Sequence, residues 1–211
     1  MLAILAVSDK RDIEVLAGGL VRLGWQVVAT AGTRDTLAAA GCRVGRVADI
    51  AGVPAILGGR VKTLTLPVMA GILARHTESD VRELADLGIE PVELVCCNYY
   101  RLPVTAGAGE LAAFRESVDI GGPAMLRAAA KNCAHVIPLT DPADYRPLLR
   151  ALEAGGNRPA AVPLADRISL AEKAFRMSGE YDLAVAELFR AQCPAGTPRL
   201  ATTTQAPAQA E

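Results

Sequence analysis

Short apolar runs alternate along this chain with stretches in which apolar residues recur every three or four positions. The runs have the length and continuous apolar character of strands buried on both faces, and they cover residues 2–7, 25–29, 44–50, 92–98 and 135–140. Helical spacing is found at residues 13–24, 34–41, 78–88, 109–117, 122–132 and 141–156, whereas 68–74 fits a helix or a strand. This alternation predicts an α/β fold with a doubly wound, mainly parallel sheet.

The last third of the chain predicts a helical extension and a tail. A long amphipathic helix is expected from about residue 166, with Ser169 and Glu172 as a capping box. Its apolar stripe is predicted to contain Ile168, Ala171, Phe175, Ala184, Leu188 and Phe189. Residues 194–211 are rich in Ala, Thr, Pro and Gln and are expected to be disordered. The chain is therefore interpreted as one domain over residues 1–193, followed by this tail.

Composition excludes several classes of protein. The 211 residues are 51% hydrophobic and 21% charged, with a net charge of −1, so neither a basic face nor nucleic-acid binding is expected. No apolar run is long enough to span a membrane, and the first residues lack the features of a signal peptide, which predicts a cytoplasmic protein. The five cysteines lack zinc spacing, and His76 and His135 lie far apart in the sequence, so no metal site is predicted.

Small and polar residues follow three of the predicted strands, where ligands bind in open α/β sheets. They are Ser8 to Lys10 after the first strand, Thr30 to Thr33 after the second, and Asn98 to Tyr100 after the fourth. Ser8 is suited to cap the first helix, and residues 30–33 read as a tight turn. Two helix starts on neighbouring strands favour a phosphate site more than either does alone.

Lysines are scarce in this chain, since only four of its 22 basic residues are Lys. Lys62 lies in a glycine-rich stretch, residues 58–75, that is either a turn before a buried element or an anion-binding loop. Asp119 precedes a Gly-Gly-Pro helix start, where it is either a cap or a carboxylate held at a ligand. Lys131 lies near the end of the same helix, where a cation also suits the helix dipole. The residues alone leave these alternatives open.

Six motifs resemble, in the same order, the IMP cyclohydrolase domain of the bifunctional AICAR transformylase/IMP cyclohydrolase of purine synthesis. They are SDK at 8–10, the Gly-Thr turn at 32–33, LGGRVKTL at 57–64, AGILAR at 70–75, CNxY at 97–100 and DIGG…LRAAAKN at 119–132. The resemblance covers residues 2–192 and implies a methylglyoxal-synthase-like fold. It implies dehydrative ring closure of a formamido-imidazole-carboxamide ribonucleotide (FAICAR) to IMP without a cofactor or metal. It also implies a homodimer with the active site near the subunit interface.

The resemblance assigns the site residues one by one. Lys62, Tyr100, Asp119 and Lys131 are the implied catalytic residues. The two lysines would supply charge and protons to the formyl oxygen, Asp119 would orient or deprotonate the attacking amide, and Tyr100 would hydrogen-bond the intermediate. Contacts to the base, ribose and 5′-phosphate are implied for Ser8, Lys10, Thr30, Gly32, Thr33, Arg60, Thr63, Asn98 and Gly121.

The chain departs from the family pattern mostly around the expected ligand. Thr65 and Met69 replace histidines, Ala31 replaces a glycine, Cys133 replaces a histidine, and Arg101-Leu102 replaces Pro-Phe. Because the sequence contains no transformylase motifs, the chain is expected to be a free-standing cyclohydrolase module, which leaves open a separate formyltransferase as partner. Three hypotheses therefore stand: a FAICAR cyclohydrolase, a diverged paralogue that closes the ring of a purine-analogue nucleotide such as a C-nucleotide, and a non-catalytic nucleotide-binding or sensor domain.

Overall fold

The computed structural model describes residues 1–99, 102 and 111–192. The strands are β1 Leu2–Ala6, β2 Gln26–Ala29, β3 Gly45–Arg46, β4 Val92–Cys97 and β5 Ile137–Leu139. The helices are α1 Ile13–Arg22, α2 Ala31–Ala39, α3 Val47–Ala51, α4 Leu66–Leu73, α5 Glu78–Asp86, α6 Leu111–Ser117, α7 Gly121–Lys131, α8 Tyr145–Ala154 and α9 Leu164–Gln192. Short 3₁₀ turns cover Leu57–Gly59, Pro142–Asp144 and Pro159–Ala161.

The strands form one parallel sheet in the order β3-β2-β1-β4-β5. In the central pair, Ile4 lies opposite Val95 and Leu5 opposite Cys96. The chain runs outward from β1 to one side through β2 and β3, then returns to the other side of β1 with β4 and β5. The strand order therefore reverses between β1 and β4, which opens a crevice beyond the carboxyl ends of these two strands. The predicted α/β fold is confirmed.

Each face of the sheet is buried by a different layer of helices. Ile4, Val28 and Val95 point to the face covered by α3, α4, α7 and α9, where they join Ile72 and Leu126. The alternate residues of the same strands point to the face covered by α1 and α8, where the cluster includes Leu5, Leu94, Leu16, Leu148 and Leu152. Because both faces are covered, the strands other than the exposed β3 are mostly apolar, which is why they could be recognised in the sequence.

Several helix starts differ from the prediction. Asp12, not Ser8, precedes α1, because residues 8–11 form a loop that is tied to β4. Residues 31–33 belong to the first turn of α2, with Thr30 at its N-cap, instead of forming a separate tight turn. The predicted strand at 44–50 is cut to two residues by α3, and the ambiguous segment 68–74 is helical.

The extension α9 begins at Leu164, so Ser169 and Glu172 lie inside the helix and the predicted capping box is wrong. Its buried positions, at alternating spacings of four and three, are Arg167, Ala171, Ala174, Ser178 and Tyr181. Ile168 and Phe175 of the predicted apolar stripe are about half exposed. Small residues face inward because α9 packs closely on α7 and β5. The predicted tail at 194–211 lies outside the described residues, and none of the helices described is long and apolar enough to cross a membrane.

Candidate active site

Asn98 organises the crevice between β1 and β4. Its side-chain oxygen accepts hydrogen bonds from the backbone N–H groups of Ser8 and Asp9, at 2.7 and 2.8 Å. Its amide nitrogen donates to the carbonyl oxygen of Thr140, at 3.3 Å, just after β5. Asn98 thereby holds together the loops that follow three strands. In this structure its oxygen is committed to the protein, so the predicted contact with a base would have to come from its nitrogen or from a rearranged side chain.

Lys10 joins the loop after β1 to the first turn of α2. Its ammonium group donates to the hydroxyl of Thr33, at 2.9 Å, and to the carbonyl oxygen of Val7. Thr33 is fully buried, and its hydroxyl also accepts the backbone N–H of Val7 at 3.1 Å. Burial lowers the pKa of Lys10 from its usual value. The structure therefore brings together two of the predicted phosphate-binding residues, in a cluster that also fixes the backbone around them.

The start of α2 is open to a ligand. Thr30 is its N-cap, and in this described helix no side chain caps the backbone N–H groups of the first turn. A Cβ atom built on Gly32 would meet nothing within 4 Å, so open space lies beside this residue. Free N–H groups and the dipole at a helix start attract anions. The predicted phosphate position beside Thr30 and Gly32 therefore has both the room and the donors that it needs.

The glycine-rich loop folds back next to this helix start. Leu57, Gly58 and Gly59 all have positive φ, between 53° and 93°, which makes the two glycines essential to the turn. Thr63 at its end is 2% exposed. A Cβ atom on Gly121 would lie only 2.4 Å from the Thr63 hydroxyl oxygen. This close approach fastens the loop to the start of α7, as the predicted shared site requires.

A cavity of about 270 Å³ lies between the glycine-rich loop and the starts of α2 and α3. Thr30, Lys62 and Thr63 line it together with Arg34 and Arg46, which the sequence reasoning missed. Arg46 ends β3, so the rule that ligands bind beyond the carboxyl ends of strands could have identified it. It forms an ion pair with Asp49 at 2.6 Å. The cavity offers an exposed ammonium, two guanidinium groups and hydroxyl donors, a set suited to a phosphorylated ligand.

Asp119 lies at the junction of β4, α7 and α9. Its Oδ1 accepts the backbone N–H of Gly122 at 2.9 Å, and its own N–H donates to the Tyr181 hydroxyl at 2.8 Å. A Cβ atom on Gly122 would lie 2.6 Å from Oδ2 and 3.1 Å from the Cys97 sulfur. Asp119 is thus both the cap of α7 and a carboxylate held in one orientation, and no described hydrogen bond occupies its Oδ2.

Two of the predicted site residues, Arg60 and Lys131, are not brought into this arrangement. Arg60 turns away to form an exposed, two-point ion pair with Glu116, at 2.9 and 3.2 Å. Lys131 is exposed at the far end of α7, about 15 Å from Gly121 at 1.5 Å per residue. Tyr100 lies outside the described residues. The structure therefore brings the predicted residues around Lys62 close to those around Asp119 but not to Arg60 or Lys131, and the roles that the motifs imply stay predictions.

A larger cavity, about 1170 Å³, opens on the other side of Asn98, between the ends of β1, β4 and β5 and the helix α9. Its cations are paired with carboxylates: Lys173 lies 2.7 Å from Asp144, and Arg11 lies 2.5 Å from Asp9. The two arginines of the smaller cavity are likewise paired, Arg34 with Asp35 at 3.4 Å and Arg46 with Asp49, so that cavity differs by Lys62, which forms none of the described ion pairs. No three His, Cys, Asp or Glu side chains of the described part of the chain come together as metal ligands.

Comparison with known proteins identifies the family. The model of the MGS-like domain matches residues 12–124, and that of the AICARFT/IMPCHase bienzyme matches residues 129–210. The bifunctional purine biosynthesis protein PurH of Myxococcus xanthus is 45% identical over 201 residues, which are 94% of this chain and 38% of that protein. PurH of Synechococcus elongatus is 44% identical over 96% of this chain and 40% of its own length. The chain thus spans about two fifths of the curated relatives that it matches.

A solved structure covers almost the same length. The crystal structure titled ForH superimposes with a TM-score of 0.86 at 64% identity, and the match covers 91% of this chain and 98% of that one. The same family is indicated by the sequence matches, by the parallel sheet with its C-terminal helix, and by the motifs at the carboxyl edge of the sheet. This chain therefore belongs to the family of MGS-like domains that is represented in PurH by its IMP cyclohydrolase part.

Proposed function

We propose that this chain catalyses the dehydrative ring closure of FAICAR to IMP. The observation that carries the proposal is the contact between Thr63 and Gly121, which joins the cavity containing Lys62 to the helix start that holds Asp119. A phosphate beside Thr30 and Gly32 would direct the rest of a ribonucleotide monophosphate towards that junction. The family resemblance supplies the identity of the ring.

The reaction needs one bond to form and one to break. The carboxamide nitrogen attacks the formyl carbon, and the former carbonyl oxygen becomes the hydroxyl of a cyclic intermediate. That hydroxyl then leaves as water, while a ring nitrogen gives up its proton and a C=N bond forms. We assign to Lys62 the stabilisation of negative charge on the oxygen and the supply of a proton, and to Oδ2 of Asp119 the acceptance of the proton from nitrogen. No cofactor is assigned to either step.

The test is an ultraviolet assay of the purified chain with FAICAR, with the product identified by mass. FAICAR-dependent formation of IMP at the rate of a known cyclohydrolase domain is the expected result. If the folded protein binds a ribonucleotide monophosphate but forms no IMP under conditions in which that reference enzyme works, the proposal is wrong.

A second candidate is ring closure on a purine-analogue nucleotide, and Thr65 favours it. Where the family pattern has a histidine, the Thr65 hydroxyl oxygen is buried and is the one side-chain oxygen or nitrogen in the described part of the chain that is buried without a hydrogen-bond partner. Buried polar groups are normally paired, so this unpaired hydroxyl marks a position, two residues after Thr63, at which the chain departs from the family pattern. Turnover of a formamido-pyrazole-carboxamide C-ribonucleotide with higher kcat/KM than FAICAR would select this candidate.

Lys131 leads us to propose that the chain acts as a homodimer in which each copy completes the other's site. Its exposed position, about 15 Å from Gly121 along α7, is poorly suited to act within its own chain. We expect Lys131→Ala and Asp119→Asn proteins, each nearly inactive alone, to regain about a quarter of wild-type activity when mixed, because mixed dimers retain one complete site. No recovery after subunit exchange, verified by mass spectrometry, would contradict a role in the partner's site.

Tyr181 offers a milder test of how Asp119 is positioned. Tyr181→Phe removes the hydroxyl that accepts the Asp119 N–H, and the typical net value of such a bond predicts a 3- to 10-fold lower kcat, about 0.5–1.5 kcal/mol, with little change in KM. Tyr99→Phe is the matched control, because its hydroxyl bonds Ser178 at 2.9 Å and its ring lies 4.9 Å from that of Tyr181. Equal losses of kcat in both variants would indicate a packing effect instead of positioning.

A further inference from the structure

A third cavity, about 550 Å³, lies at the edge of the sheet opposite the candidate active site. It is bordered by Met1 before β1, Glu93 at the start of β4 and His135 before β5, whereas the active-site motifs follow the carboxyl ends of the strands. Strands of five or six residues separate the two edges by roughly 17–20 Å. This volume suits a small metabolite, and the cavity shares no lining residue with the candidate active site.

Arg167 is a buried cation of this cavity, and three hydrogen bonds hold its side chain in place. Its side chain is on α9 and is 8% exposed. Its Nε donates to the carbonyl oxygen of Val162 at 3.1 Å, and its Nη1 donates to those of Cys133, at 3.1 Å, and Ala134. None of the ion pairs found among the described residues includes Arg167. Burial of a charge is costly unless an opposite charge compensates it, so this guanidinium favours an anion in the cavity that it lines.

The two histidines of the chain meet in the same cavity. The rings of His76 and His135 have centroids 4.9 Å apart and are tilted by 40°, although 59 positions separate them in the sequence. Burial lowers the pKa of His135, and the nearby His76 and Arg167 lower it further. The protonated form of His135 is therefore disfavoured in the free protein. A bound anion would reverse this balance, because an opposite charge within hydrogen-bond distance favours the protonated imidazole.

The other charged groups around the rings come from every neighbouring element. They are Arg75 and Asp80, which pair with each other at 2.8 Å, Glu93 and the amino group of Met1, which lie 3.7 Å apart, and Arg158 and Arg167. Both nearby carboxylates therefore already have a cationic neighbour. The guanidinium groups of Arg158 and Arg167 and the two imidazoles remain to receive an anion.

We propose that this cavity binds a dianionic phosphate group, either free phosphate or the phosphate of a small monoester. Arg158 supplies parallel N–H donors that match phosphate oxygens, Arg167 donates from Nη2 because its other nitrogens bond backbone carbonyls, and two imidazoles become additional donors when they are protonated. Binding is linked to proton uptake by the imidazoles, so affinity rises as the pH falls from about 8 until the phosphate dianion itself takes up a proton. The proposal is independent of the reaction catalysed at the other edge.

The experiment is an NMR titration of the imidazole groups, which gives two signals because the chain has only two histidines. With inorganic phosphate as the probe, we expect both titration midpoints to rise by about 0.5–1 pH unit relative to sodium chloride of equal ionic strength. Arg158→Gln and Arg167→Gln should each weaken phosphate binding at least threefold. Arg82→Gln, an exposed arginine of α5 that pairs with Glu78 outside the cavity, is the matched control.

Three results would overturn the proposal. One is an unchanged pair of imidazole midpoints in phosphate. Another is a phosphate response in Arg158→Gln that equals the responses of the wild type and of Arg82→Gln. Because Arg158 is exposed, this comparison stays valid even if Arg167→Gln does not fold. The third is binding of malonate as tight as that of phosphate, which would assign the cavity to carboxylates.

Discussion

Lys62→Ala should lower kcat for FAICAR closure by about 10²–10⁴, because it removes the ammonium group that we assign to the formyl oxygen. Lys62 is exposed in the wall of the small cavity, where its side chain makes none of the described hydrogen bonds or ion pairs. Its loss should therefore leave the melting temperature almost unchanged. Steady-state kinetics and a thermal melt on the same preparation separate the two effects.

Two further variants make the Lys62 result interpretable. Lys62→Arg keeps the positive charge but does not release a proton at accessible pH, so partial recovery of kcat would measure the electrostatic share of the role. Lys173→Ala removes another of the four lysines, one that pairs with Asp144 beside the larger cavity, and should leave kcat within about twofold of wild type. A Lys62→Ala enzyme with more than a tenth of wild-type kcat would contradict the assignment.

Asp119→Asn should lower kcat by a similar factor, about 10²–10⁴, while leaving the protein folded. The amide oxygen of Asn can still accept the Gly122 N–H, and the backbone N–H of residue 119 can still donate to Tyr181. The change therefore removes the charge and the basic Oδ2 but keeps the cap of α7. Single-turnover kinetics with FAICAR should show the loss in the chemical step, with nucleotide affinity changed by less than about tenfold.

Asp119→Ala provides the comparison that distinguishes chemistry from capping. This variant loses the cap as well, so it should be less stable than Asp119→Asn by about 1 kcal/mol in urea unfolding. If Asp119→Asn retained wild-type kcat while Asp119→Ala did not, the residue would be a cap only.

The sequence predicted the structure best where burial on both sides produces an uninterrupted run of apolar residues. The four buried strands were recognisable because a parallel sheet covered on both faces favours apolar residues along each strand, whereas β3 is an exposed Gly-Arg pair and its predicted extent was too long. Helix starts were less predictable: the loop at Ser8 is shaped by Asn98, 90 positions away. On α9, close packing selects Ala171, Ala174 and Ser178 for the buried face, so large apolar residues do not mark it.

In the candidate site, too, residues marked by local motifs were predictable, whereas contacts between distant segments were not. The motifs named Thr63, Gly121, Thr30 and Lys62 as site residues, but only the structure shows that Thr63 contacts Gly121 and that Thr30 and Lys62 line one small cavity. The ion pair of Arg60 with Glu116 and the meeting of His76 with His135 depend on contacts between distant segments. No spacing rule for a single element could have revealed them, because neither pair shares a helix or a strand.

The length of α9 has a practical consequence for protein engineering. Near its start Arg167 is bonded to the turn before β5, and about four turns later Tyr181 is bonded to Asp119, so one helix braces both ends of the sheet. Shortening the chain within α9 would damage distant regions at once, even though every motif before residue 132 would remain. Reporter domains, affinity tags and split-protein breakpoints should therefore avoid residues 164–181.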